Sequence, residues 1–62
     1  MGILSWFASL APNPAEVRAE IWRLGVRHHG YALDGAVKEL ANEVSPARVA
    51  LLRACVQRLR QA

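Results

Sequence analysis

Apolar residues recur at helical spacing along the chain. Beyond residue 30 a first stripe at i, i+4, i+7 and i+11 consists of Leu33, Val37, Leu40 and Val44. A second stripe, at heptad spacing, consists of Val49, Leu52, Val56 and Leu59. Residues three and four apart share one face of a helix, so both stripes indicate amphipathic helices, and β-structure has no comparable signal. The pattern predicts an all-α fold, a small three-helix domain with helices at about residues 14–29, 31–44 and 46–60.

Local signals mark the ends of these helices. Asn13 and Ser45 are typical N-cap residues, and each is followed by a proline, which suits the first helical position. Gly30 is expected in the left-handed conformation that ends the first helix. Gly35 costs about 1 kcal/mol relative to alanine inside a helix, so the second helix is expected to fray or start late.

The first helix has two apolar faces. One stripe consists of Val17, Ile21, Leu24 and His28, and the other of Ala15, Ala19, Trp22 and Val26. The charged side, which we expect to face solvent, consists of Glu16, Glu20, Arg23 and Arg27. One apolar face can pack against the other two helices, and the face centred on Trp22 then needs another partner.

Residues 1–11 form a separate apolar segment without charge. Helical spacing predicts a short amphipathic helix at about residues 2–11, which at about three turns is too short to be stable alone in water. We therefore divide the chain into a docking helix, residues 1–11, and a three-helix domain, residues 14–62. The candidate partner-binding residues are Ile3, Trp6, Phe7, Leu10, Trp22 and Val26.

Size and composition favour association. The chain has 62 residues, of which 53% are hydrophobic, and a formal net charge of +3. A domain of this size buries only about 60% of its unfolded surface and is marginally stable alone. The single cysteine, Cys55, excludes an internal disulfide, and no Cys/His spacing matches a structural zinc site. A protein partner or a second copy is the expected source of additional stability.

The sequence predicts a cytoplasmic protein. The longest uncharged run, residues 1–15, is interrupted by Pro12 and Pro14 and is shorter than the roughly 20 apolar residues of a membrane-spanning helix. It also lacks the Lys/Arg region of a secretory signal. We therefore expect Cys55 to be reduced.

No residue set predicts catalysis. His28 and His29 point about 100° apart on a helix and do not form a metal site together, and Cys55 lies on an apolar face without a base. The carboxylate pairs Glu16/Glu20 and Glu39/Glu43 resemble solvated faces. The expectation is a protein that is not an enzyme, with no catalytic residue, metal, cofactor or small-molecule substrate.

One segment carries a local resemblance. Residues 37–49, VKELANEVSPARV, resemble the helix-turn-helix of bacterial DNA-binding proteins, although Ser45 stands where such motifs place a glycine and the turn is about two residues short. The resemblance implies a nucleic-acid-binding protein of bacterial or phage-like origin. Its candidate contact residues are Arg48, Arg53, Arg58 and Arg60. An ordinary hairpin of two helices explains the same residues, and we favour it.

Three functional hypotheses follow. The main one is a non-enzymatic small helical adaptor or subunit that binds a protein partner or itself through the N-terminal apolar helix and the Trp22 face. The first alternative is nucleic-acid binding through the last two helices. The second is attachment to a membrane surface through the N-terminal helix.

Overall fold

The chain folds as three α-helices. The computed structural model describes residues 12–61, in which α1 is Pro14–Arg27, α2 is Ala32–Asn42 and α3 is Pro46–Gln61. No strand occurs in this range. The predicted all-α, three-helix fold is confirmed, whereas the predicted helix at residues 2–11 lies outside the described residues.

The predicted starts of α1 at Pro14 and of α3 at Pro46 are confirmed. The Asn13 side-chain oxygen accepts a hydrogen bond from the Glu16 backbone N–H at 2.9 Å, and the Glu16 carboxylate accepts one from the Asn13 N–H at 3.5 Å. This reciprocal arrangement is a capping box, which satisfies two backbone donors at the start of α1. At the start of α3 the Ser45 hydroxyl accepts from the Arg48 N–H at 3.5 Å.

The turn after α1 involves two left-handed residues. Gly30 has φ +92°, as predicted, but His29 also has a positive φ, of 54°. The Gly30 N–H donates to the Gly25 carbonyl at 2.7 Å, which closes the helix end. Because the chain already leaves the helical conformation at His28, α1 ends at Arg27, two residues earlier than predicted.

The second helix is shorter than predicted, and its apolar stripe is only partly buried. Val44 belongs to the predicted stripe, yet it lies beyond the end of α2 and is 92% exposed. Glu43 is already extended, so the chain leaves the helical conformation before Val44. The fully buried positions of α2 are Gly35 and Ala36, whereas Leu33 and Leu40 of the predicted stripe are half-buried and pack against the core.

The core lies where the three helices meet. Its buried apolar residues come from every helix and are Val17, Leu24, Ala36, Leu52, Cys55 and Val56. The Cys55 thiol lies 3.8 Å from the Val17 carbonyl oxygen, to which it donates. Cys55 therefore contributes to the core as a small apolar residue, as the sequence predicts.

Gly35 allows α2 to approach the end of α1 closely. A Cβ atom at this position would lie 2.1 Å from His28 Cδ2 and 2.4 Å from His28 Cγ. The imidazole is held in place by a 2.8 Å contact between its Nε2 and a carboxylate oxygen of Glu39. Glycine is thus required here for packing, and its cost in helix propensity is offset by the contact between α1 and α2.

We predict that Gly35→Ala lowers the free energy of unfolding by about 1–3 kcal/mol, because the imidazole must leave its position. Urea denaturation measures this change. The matched control is Gly25→Ala in α1, where an added Cβ meets nothing within 4 Å. In a His28→Ala background the cost of Gly35→Ala should disappear. If Gly35→Ala is equally destabilising in both backgrounds, the close approach to His28 is not the cause.

Candidate interaction surfaces

The deepest polar feature of the domain is the carboxylate of Glu20. The sequence places this residue on a solvated face, and the structure corrects that expectation, since Glu20 is only 1% exposed. It lies on the core side of α1, between Val17 and Leu24, at the i, i+3, i+7 spacing of one helix face. A carboxylate in this position is stable only if it is paired and hydrogen-bonded.

Three arginines pair with Glu20. Arg23 Nη1 lies 2.8 Å from Oε1, whereas the Nη2 atoms of Arg27 and Arg48 lie 2.9 Å and 2.8 Å from Oε2. Arg23 and Arg27 belong to the same helix, but Arg48 reaches Glu20 from α3. The carboxylate therefore joins the first and last helices of the domain.

These arginines also control the protonation of Glu20. Burial by itself raises the pKa of the carboxyl group, because desolvation disfavours its charged form. The hydrogen bonds from Arg48, Arg27 and Arg23 together outweigh this effect and lower the pKa from 4.5 to about 2. Glu20 is consequently charged in the folded protein at all but strongly acidic pH.

Glu39 in α2 pairs with two of the same arginines, Arg27 and Arg48. Its carboxylate accepts from Arg27 Nη2 at 3.1 Å and from Arg48 Nη2 at 3.0 Å, and its other oxygen contacts His28 Nε2 at 2.8 Å. The hydrogen bond with His28 is the main reason that the pKa of Glu39 is lowered. Arg27 and Arg48 thus each bridge Glu20 and Glu39. We call these four side chains, together with Arg23, His28 and Glu43, the ion cluster; it connects all three helices.

The guanidinium of Arg48 is therefore engaged in contacts that hold the helices together. The hydrogen bond to Glu20 is the main cause of the raised pKa of its guanidinium, and its Nε lies 3.7 Å from Glu43 Oε1. The structure thus separates the four candidate nucleic-acid contacts of the sequence. Arg53, Arg58 and Arg60 are exposed, and within residues 12–61 none of the three has an ion-pair partner.

The second apolar face of α1 is exposed. Trp22 is 71% and Val26 is 60% accessible, Ala15 is exposed, and Ala19 is half-buried. We call Ala15, Ala19, Trp22 and Val26 the Trp22 face. The other candidate partner-binding residues, Ile3, Trp6, Phe7 and Leu10, lie outside the described residues.

In the described part of the chain, no group of three or more His, Cys, Asp or Glu residues is placed to hold a metal ion. Burial raises the pKa of the Cys55 thiol, which disfavours the nucleophilic thiolate. The two histidines differ in environment, since His28 is held against Glu39 whereas His29 is exposed in the turn.

None of the three helices within residues 12–61 has the length and apolar character needed to cross a membrane.

Comparison with known proteins gives no assignment: no protein-family model, no curated protein and no solved structure matches the chain. The function must therefore be inferred from the chemistry of its surfaces.

The sequence did not predict that Glu20 and Glu39 pair with arginines of other helices. A signal was present, because Glu20 falls on the same stripe as Val17 and Leu24, and a charged residue on an apolar stripe requires a partner. The sequence did not indicate which residue that partner is. Arg48 is 28 positions away from Glu20, and only the packing of α1 against α3 brings the two together.

The folded protein should lose stability as acid protonates Glu20. The pKa of this group is about 2 in the folded protein and about 4.5 in the unfolded chain, so its contribution is complete above pH 4.5 and lost as the pH falls toward 2. The contribution is on the order of 3 kcal/mol. Urea denaturation across this pH range should show a steep loss in the natural protein and a smaller slope in Glu20→Gln.

The control for this measurement is Asp34→Asn, an exposed carboxylate of α2 that should leave the pH slope nearly unchanged. Should Glu20→Gln not fold, ¹³C NMR titration of the side-chain carboxyl in the natural protein gives the same information. A Glu20 midpoint near its ordinary value of 4.5 would contradict the prediction.

Proposed function

We propose that this chain is a non-enzymatic helical interaction module that associates with a second copy of itself through the Trp22 face and the apolar stripe of residues 1–11. The observation that carries the proposal is the exposure of Trp22, at 71%, next to Val26 at 60%. A large aromatic side chain with apolar neighbours on a small domain is typical of an interface.

The proposed partner is a second copy because the chain supplies both halves of the contact. Residues 1–11 have no charged side chain and contain the apolar residues Ile3, Trp6, Phe7 and Leu10, and the Trp22 face is a second apolar surface. A domain of about 60 residues without a disulfide gains stability from such burial. Self-association also requires no other component, and we propose the cytoplasm as its location.

Nucleic-acid binding has less support. In a helix-turn-helix the first residues of the recognition helix contact the bases. In α3 the only charged residue in that stretch is Arg48, and its guanidinium is engaged by Glu20 and Glu39. Attachment to a membrane surface has no support in the described residues, and both alternatives remain outcomes of the test below.

Sedimentation velocity over a range of concentrations should detect self-association of the full chain. We expect Trp22→Gln to weaken it by about 30-fold or more, because a central aromatic residue of an interface typically contributes about 2 kcal/mol or more. Deletion of residues 1–11 should have a similar effect, since it removes the other half of the contact.

The matched control is Val44→Gln, which replaces an even more exposed apolar residue, at 92%, that is not part of the Trp22 face, and should leave association unchanged. A chain that stays monomeric at all concentrations would overturn the proposal. So would a dimer that is insensitive to Trp22→Gln, or association only with vesicles or with duplex DNA.

A further inference from the structure

A second surface with different chemistry lies between α2 and α3. Here the domain has an open groove of about 510 Å³ whose floor is formed by Val37, Leu40 and Val56. Val37 is 44% exposed and Val56 is 9% exposed, so the floor is reachable and continuous with the core. Arg53 and Arg60 stand at the rim of this groove.

The two rim arginines lie on one face of α3. Arg53, Val56 and Arg60 are spaced at i, i+3 and i+7, which places both guanidinium groups on the side of the apolar floor. Further along the rim lie Gln57 and Gln61, which are polar and uncharged. The groove is thus an apolar channel bordered by positive charge.

Nothing in residues 12–61 neutralises this charge. The carboxylates of Glu20, Glu39 and Glu43 are paired with arginines of the ion cluster, and α3 itself contains no acidic residue. Arg53 and Arg60 have no carboxylate within 4.0 Å in this part of the chain. The formal net charge of +3 is therefore concentrated toward the end of α3.

The chemistry of the groove selects among occupants. Residues 1–11 carry no charge and would leave both arginines unpaired. A second copy offers few carboxylates, because three of the five acidic residues belong to the ion cluster and Glu16 caps α1. A nucleic acid would meet the arginines with phosphates but would leave the apolar floor uncovered.

We infer that the groove between α2 and α3 binds an amphipathic helical segment of another protein, with its apolar stripe on Val37, Leu40 and Val56 and its glutamate or aspartate side chains on Arg53 and Arg60. Helix-in-groove docking uses apolar residues at i, i+3, i+4 and i+7, and flanking opposite charges set its orientation and specificity. The groove shares no residue with the Trp22 face, so the inference does not depend on the proposed self-association.

The test uses the full ¹⁵N-labelled chain and a synthetic helical peptide of about 15 residues, long enough to form an isolated helix. The peptide has a leucine stripe flanked by glutamates, and a second peptide has lysine in place of each glutamate. Titration should shift the amide signals of Val37, Leu40 and Arg53 with the acidic peptide and leave them unchanged with the basic one.

Paired variants separate the groove from general charge attraction. Arg53→Gln with Arg60→Gln should weaken peptide binding by about tenfold or more, whereas Arg18→Gln with Arg58→Gln, which removes the same charge elsewhere, should change it by less than about twofold. Val37→Gln, at a half-exposed position that leaves the core intact, should also weaken binding.

Three results would overturn the inference. The first is that neither peptide binds. The second is an equal loss of affinity in both arginine pairs. The third is that duplex DNA binds through Arg53 and Arg60 with no effect of Val37→Gln, which would assign the surface to nucleic acid. Sedimentation velocity of the groove variants should show the same self-association as the natural protein. The result for the groove is therefore distinct from the result for the Trp22 face.

Discussion

The arrangement of the three helices depends on the buried carboxylate of Glu20. An ionised carboxylate out of water is costly, and removal of its partners leaves an uncompensated charge that destabilises a protein strongly. Arg27 and Arg48 meet this requirement, and both also contact Glu39. A packing of α3 on α1 that separates Arg48 from Glu20 would leave the carboxylate with only Arg23 and Arg27 of its own helix, so the cluster favours the observed arrangement.

The same cluster determines which charges remain available at the surface. Arg27 and Arg48, near the junction of the helices, pair with Glu20 and Glu39. The arginines at the end of α3 have no carboxylate partner within residues 12–61. The two proposed interaction surfaces consequently differ in character. The Trp22 face is apolar and suits a hydrophobic contact, whereas the groove between α2 and α3 combines an apolar floor with positive charge. Two unlike surfaces would allow the proposed interaction module to engage two different partners.

Close packing at Gly35 shows the limit of residue propensities. Glycine inside α2 is unfavourable for the isolated helix, and the sequence alone therefore predicts a weak first turn there. In the folded domain the same residue is buried against the His28 ring, which in turn contacts Glu39. The local cost is offset by a tertiary contact, so the glycine belongs to the same assembly of interactions as the ion cluster.

The sequence by itself determined the features that depend on neighbouring residues. The starts of α1 and α3 were predictable because Asn13 and Ser45 cap backbone groups only three positions away, and the left-handed Gly30 follows from its missing side chain. Much of the core was predictable from periodicity. The partner of Glu20, the exposure of Val44 and the groove were decided by tertiary structure, because each depends on how one helix is placed on another. Periodicity reports which face of a helix is apolar, but not which residue of a distant helix will lie opposite it.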